Sequence, residues 1–77
     1  MSEVKIQANL SIEKSGGAEK LQVVIEKVKE ALTEKYPDAQ IDVRKGYFQT
    51  IDGIWSNNQE IEQDIRNIVD NVRAQVV

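Results

Sequence analysis

The spacing of the apolar residues changes at residues 15–17, and this change constrains the fold more than any other sequence feature. Before it, over residues 4–12, apolar and polar side chains alternate, which predicts a half-buried strand with one polar face. After it, from Ala18 to Tyr36, apolar residues recur three and four positions apart, which predicts an amphipathic helix. Ser15-Gly16-Gly17 between them is typical of a turn or of the start of a helix.

Pro37 ends this helix near Lys35, because proline cannot continue a helix and restricts the residue before it. Alternation then resumes over residues 41–44, which predicts a second strand. The connection after it has two readings. In the first, Lys45-Gly46 forms a two-residue hairpin loop that pairs Val43 with Phe48 and Ile41 with Thr50. In the second, a longer loop covers about residues 45–49, and the third strand would run over residues 50–55. We favour a third strand over at least residues 49–54, antiparallel to the second, with its register left open.

A second amphipathic helix follows the strands. Ser56-Asn57-Asn58-Gln59 matches the capping-box pattern, and acidic residues follow it, where the helix dipole favours negative charge. The apolar stripe of this helix consists of Ile61, Ile65, Ile68, Val69, Val72 and Val76. Arg73 lies near the end of the helix, where positive charge is favoured.

The order strand, helix, strand, strand, helix predicts an α+β fold, a two-layer sandwich. It consists of a three-stranded mixed sheet with two helices on one face. A right-handed crossover would place the second strand parallel to the first. A chain of 77 residues is long enough for one core, so we predict a single domain over residues 1–77. The other sheet face is polar and is expected to face water; it carries Lys5, Gln7, Asn9, Ser11, Asp42 and Arg44.

The composition argues against catalysis. The chain has no histidine and no cysteine, which are the usual general base, metal ligand and thiol nucleophile. Asp42, Asp52 and Glu60 do not have the spacing of a known metal site. We therefore predict a protein that is not an enzyme and that needs no cofactor or metal.

The charge and the hydropathy of the sequence limit the classes of binding partner. The net charge is −3, and residues 38–77 account for it with seven acidic and four basic side chains. Without a basic stripe, direct binding to nucleic acid is not expected. No apolar run approaches the ~20 residues of a membrane span, and residues 1–10 do not resemble a signal peptide. We predict a cytoplasmic location, no membrane contact and a protein partner with a basic surface.

Two groups of residues are candidates for that contact. The first is an acidic ridge on the second helix, formed by Glu60, Glu62, Asp64 and Asp70. The second is an aromatic anchor projecting from the hairpin, Tyr47 or Trp55, because interfaces favour these side chains. An alternative function is self-association as a homodimer. It would use the polar sheet face or an edge strand, at residues 4–12 or 50–55.

The element order resembles that of the DinI-like proteins, small bacterial modulators of RecA filaments in the DNA-damage response. The similar region covers residues 34–70. It includes Tyr36-Pro37-Asp38, Val43-Arg44, the apolar residues 51–54, a polar cap and an Ile-rich helix. The resemblance implies binding to RecA through the acidic ridge. The sequence departs from the family where Arg66 and Arg73 interrupt the acidic helix, which ends Ala-Gln-Val-Val.

Overall fold

The computed structural model describes residues 3–47 and 50–76. The elements follow the predicted order, and the α+β class is confirmed. They are β1 (Lys5–Leu10), α1 (Ala18–Lys35), β2 (Gln40–Lys45), β3 (Gly53–Ser56), a 3₁₀ turn (Gln59–Ile61) and α2 (Glu62–Val76). Neither described helix combines the length and apolarity needed to cross a membrane.

The three strands form a mixed sheet in the order β2-β1-β3. β1 pairs parallel with β2, as the right-handed crossover predicts, and antiparallel with β3. Both helices cover the same face of this sheet. There the alternate β1 side chains Ile6, Ala8 and Leu10 are buried against the apolar stripes of α1 and α2. Buried residues of the two helices include Val24, Val28, Leu32, Ile65 and Val69.

The predicted hairpin between the second and third strands is wrong. β3 begins at Gly53, and it pairs with β1 across the sheet from β2, so Ile41 pairs with Ile6 and not with Thr50. Residues 48 and 49, part of the predicted strand and hairpin, lie outside the described residues. The described ends of the connection lie at the end of β1, where the Gly46 N–H donates to the Leu10 carbonyl at 3.0 Å. The Ser11 N–H in turn donates to Asp52 Oδ1 at 2.7 Å.

This topology also corrects the predicted edge strands. β1 is the central strand, so the predicted strand at residues 4–12 is not an edge strand, and β2 and β3 are the two edge strands of the described sheet. Ser11 is fully buried and does not belong to the water-facing sheet face on which it was predicted. It lies in the β1–α1 turn, where its hydroxyl accepts from the Lys14 N–H at 3.1 Å. The same turn ends at Gly17, whose φ of 115° favours glycine.

A buried polar cluster joins this turn to the start of β3 and the end of α2. Arg73 donates to both carboxylate oxygens of Asp52, at 2.6 and 2.7 Å, and Arg73 Nε donates to Ser15 Oγ at 3.3 Å. Burial alone would raise the pKa of Asp52. The hydrogen bonds from Arg73 and from the Ser11 amide outweigh it, so the pKa lies below its ordinary value. Arg73 is therefore a structural residue and not a solvated charge at a helix end.

The start of the second helical segment differs from the predicted capping box. Asn58 is the N-cap residue, and its side-chain oxygen accepts from the Glu60 N–H at 3.1 Å. The Ser56 hydroxyl accepts from the Asn58 N–H at 3.1 Å instead. Ser56 is still in β3, paired with Ile6, so the strand extends two residues further than predicted. The N-cap of the helical segment is therefore Asn58, two residues after the predicted Ser56.

Replacing Arg73 by methionine tests the polar cluster. Arg73→Met keeps an apolar stem but leaves the Asp52 carboxylate, whose side chain is only 14% exposed, without its cation. We expect a loss of roughly 3 kcal/mol in the free energy of unfolding, measured by urea denaturation. Adding Asp52→Asn to this variant should recover part of the loss, because no buried charge then remains unpaired.

Arg66→Met is the matched control, since Arg66 is an exposed arginine on the same helix. It should change the free energy of unfolding by no more than about 0.5 kcal/mol. Equal destabilisation by Arg66→Met and Arg73→Met would contradict the structural role of Arg73.

Candidate protein-binding surface

The sheet face opposite the helices is open to solvent in the described part of the chain. Alternation along β1 places Lys5, Gln7 and Asn9 on this open face. The strand registers add a neighbour on each side: Asp42 and Trp55 flank Gln7, and Arg44 and Gly53 flank Asn9. The face predicted to be polar is therefore polar on β1 and β2, while β3 contributes an aromatic residue.

Trp55 is the largest apolar side chain that the strands place on this open face. Its neighbours in β3, Ile54 and Ser56, are buried on the helix side, whereas Trp55 itself is 49% exposed. Gly53, one step along the same face, has no side chain that would shield the indole. An open groove of about 330 Å³ runs from Trp55 across the sheet, lined also by Lys5, Ile6, Gln7, Gln40, Ile41 and Asp42. The surface of this groove is mostly apolar, so the indole borders an apolar groove on a sheet face whose side chains are mostly polar.

The two charged side chains that β2 contributes to the open face pair with each other. The Arg44 guanidinium donates from Nε to Asp42 Oδ1 at 3.1 Å and also contacts Oδ2, two residues along the same strand. Both side chains remain largely exposed, at 59% for Arg44 and 44% for Asp42. Such an exposed ion pair adds little to stability, so both groups are available for polar contacts with a partner.

The β2–β3 connection exposes further apolar area at one end of the sheet. Tyr47 is 98% exposed and Ile51 is 60% exposed. The connection leaves and re-enters the sheet close to Asn9, which Gly46 and Gly53 both approach. Tyr47 and Trp55, the two predicted anchors, are therefore both exposed. Ile51, which the sequence placed in a strand, is a third exposed apolar residue that apolar spacing alone did not reveal.

The four predicted ridge residues do not lie on one face of α2. Successive helical residues are rotated by about 100°, so Glu62 and Asp64 lie on nearly opposite sides of the helix, about 160° apart. Glu60 precedes α2 in the 3₁₀ turn and is exposed, whereas Glu62 is half-buried. Asp70 is exposed and borders a cleft of about 240 Å³ together with Lys14 and Arg66. The structure brings basic side chains, and not the other acids, next to Asp70.

Asp64 is held by the end of α1. Lys35 Nζ lies 2.6 Å from Asp64 Oδ2, and the Tyr36 hydroxyl donates to the same oxygen. Hydrogen bonds from Lys35 and Tyr36 hold the pKa of Asp64 below its ordinary value. Burial, followed by the hydrogen bond and the charge of Asp64, raises the pKa of Tyr36 to about 12. This contact ties the two helices together, and it neutralises one acid of the predicted ridge.

The described residues contain no group of acidic side chains, histidines or cysteines arranged to hold a metal ion. No protein-family model, curated protein or solved structure matches this chain. The DinI-like resemblance therefore stays a prediction. The open face has to be interpreted from its own chemistry.

The Tyr36–Asp64 contact gives a pH-dependent prediction. Because the pKa of Tyr36 is raised in the folded state, its contribution to stability is complete below pH about 10 and is lost as pH rises through about 12. In a Tyr47→Phe background, Tyr36 is the single tyrosine, and its ionisation is followed by ultraviolet absorbance.

We expect Asp64→Ala in that background to lower the pKa of Tyr36 part of the way toward the ordinary tyrosine value, since burial remains. Asp70→Ala, which removes an exposed acid from the same helix, is the control and should leave the titration unchanged. A Tyr36 titration unaffected by Asp64→Ala would contradict the contact.

Proposed function

We propose that this chain is a non-enzymatic module that binds another protein through the open face of its sheet, with Trp55 as the anchor. The observation that carries the proposal is the half-exposed indole in an otherwise polar sheet face that neither helix covers. The absence of histidine and cysteine from the sequence supports a binding role over a catalytic one.

The chemistry around Trp55 is that of a protein interface. Interfaces combine an apolar centre with a polar rim, and tryptophan is enriched among the residues that contribute most of the binding energy. Around the indole, Gln7, Lys5 and Asp42 supply hydrogen-bond donors and acceptors. The Trp55 side chain has few rotatable bonds, so little conformational entropy is lost when it is buried in a complex. The partner expected from this arrangement presents an apolar pocket ringed by polar groups.

Tyr47 and Ile51 extend the apolar area toward the end of the sheet. Both are too exposed to contribute much to the core of the free protein. Burial of apolar area on binding stabilises a complex, so these residues are the natural second contact for a partner already seated on Trp55.

A RecA-type filament is the specific partner that the DinI-like resemblance suggests. In that version of the proposal, exposed acids provide a separate contact with a basic surface. Glu60 and Asp70 are suited to it because both are exposed, whereas Asp64 is engaged by Lys35 and Tyr36. The acidic contact and the Trp55 contact are tested independently.

The first test removes the anchor. Immobilised wild-type chain, Trp55→Ser and Val23→Ser are compared for capture of proteins from a bacterial lysate. Val23 is a matched control because it is an apolar residue of α1 that is 40% exposed. We expect one protein to be captured by wild type and Val23→Ser. Its affinity for Trp55→Ser should be reduced about thirtyfold, the equivalent of roughly 2 kcal/mol at a hot spot.

Trp55 also reports binding directly, since it is the single tryptophan of the chain. Acrylamide should quench its fluorescence in the free protein and less so in the complex with the captured protein. Equal capture by Trp55→Ser and wild type would overturn the open face as the binding surface.

The second test addresses the RecA-type partner with charge reversals. Glu60→Lys/Asp70→Lys should weaken co-sedimentation with RecA filaments formed on single-stranded DNA. The double variant replaces two exposed acids, one in the 3₁₀ turn and one in α2, by lysines. Glu13→Lys/Glu26→Lys changes the net charge equally at two exposed acids elsewhere and should bind as wild type does. If the wild type itself does not co-sediment with the filament, the RecA version is rejected, and the Trp55 test is unaffected.

A further inference from the structure

The outer edge of β2 is an unpaired strand edge in the described structure. β2 contains six residues, with β1 on one side and no described strand on the other. The Gln40 N–H donates to the Val4 carbonyl at 2.9 Å, and the Gly46 N–H donates to the Leu10 carbonyl at 3.0 Å. Since backbone groups alternate in direction along a strand, the even-numbered residues bond to β1. Ile41, Val43 and Lys45 therefore direct their N–H and C=O groups outward.

The sequence of β2 is complementary to itself when read in the antiparallel direction. If a second copy is placed with its Val43 opposite Val43, Asp42 lies opposite Arg44 of the second copy, and Arg44 lies opposite Asp42. Ile41 then lies opposite the aliphatic stem of Lys45. Opposite charges facing each other across strands are stabilising, and like charges are destabilising.

The hydrogen-bonding directions agree with this register. Val43 opposite Val43, and Ile41 opposite Lys45, are pairs in which both residues direct their backbone groups outward, so they form the hydrogen-bonded pairs of an antiparallel ladder. The Asp42–Arg44 positions become the non-hydrogen-bonded pairs, whose side chains approach more closely. Other registers with the same directions are less complementary within β2. An axis at Lys45 opposes two lysines, and an axis at Ile41 places Asp42 opposite Gln40 and Arg44 beyond the end of the opposite β2.

We propose that two copies of this chain associate through antiparallel pairing of β2 with β2, centred on Val43, to form a continuous six-stranded sheet. The occupant of the edge is a second copy because Asp42 and Arg44, which pair with each other along the free strand, then also face the opposite charges of the same two residues in the second copy. The half-buried side chains of Ile41 and Val43 on the helix side become covered in the process. This inference goes beyond the proposed partner-binding function and does not depend on it.

The test uses the two charges of the edge. Asp42→Arg places two arginines against two arginines in the paired strands, and Arg44→Asp places two aspartates against two aspartates. Both side chains are largely exposed, so each variant should fold. Analytical ultracentrifugation of the full chain should show a monomer–dimer equilibrium for wild type. Its dissociation constant should be raised about tenfold or more in each single variant.

Mixing the two variants is the decisive measurement. Asp42→Arg with Arg44→Asp restores opposite charges at every cross-strand pair, so the mixture should form a heterodimer at wild-type affinity. Wild type that remains monomeric at high micromolar concentration would overturn the proposal. So would single variants that dimerise as wild type does, or a mixture that fails to recover association.

Trp55→Ser separates this proposal from the partner-binding function. Trp55 lies on β3, two strands and about 10 Å away from β2, so its replacement should leave the dimer unchanged. Loss of self-association in Trp55→Ser would assign the contact to the open face and overturn pairing at the β2 edge.

Discussion

The Asp52–Arg73 ion pair holds the start of the third strand beside the end of the first strand. Asp52 directly precedes β3, and its carboxylate is held by Arg73 of α2 and by the Ser11 amide at the end of β1. These bonds place the start of β3 beside β1, on the side that the β1–α1–β2 crossover leaves empty. A buried carboxylate is stable only with such partners, so the ion pair and the position of the strand depend on each other.

The central position of β1 follows from this arrangement and shapes both candidate surfaces. With β3 on the far side of β1, the row across the open face runs from Asp42 through Gln7 to Trp55. A hairpin topology would have made β2 central and paired its outer edge within the chain. The observed order leaves that edge without a partner strand among the described residues and places Trp55 at the opposite edge of the sheet.

Local patterns in the sequence were sufficient for the helices and for the class of the fold. The apolar spacing of α1 and the stop at Pro37 are properties of neighbouring residues, and α1 ends at Lys35 as predicted. The partner of β3 depends on a contact between Asp52 and Arg73, 21 residues apart, and no periodic pattern indicates such a contact. Lys45-Gly46 resembled a hairpin loop because glycine suits a tight turn, although Gly46 instead bonds back to β1.

The candidate surface could be predicted only in part, for the same physical reason. Exposed aromatics were expected, but which face Trp55 occupies follows from the register with β1. The sequence predicts an acidic ridge along the second helix, but rotation around the helix and the contact of Asp64 with Lys35 separate its members. Charge counted along a sequence does not state where the opposite charge lies in space. In this fold Asp64 lies in an interhelical contact, and Asp70 borders a cleft with Lys14 and Arg66. The polar sheet face carries the one large exposed aromatic side chain among the described residues of its strands.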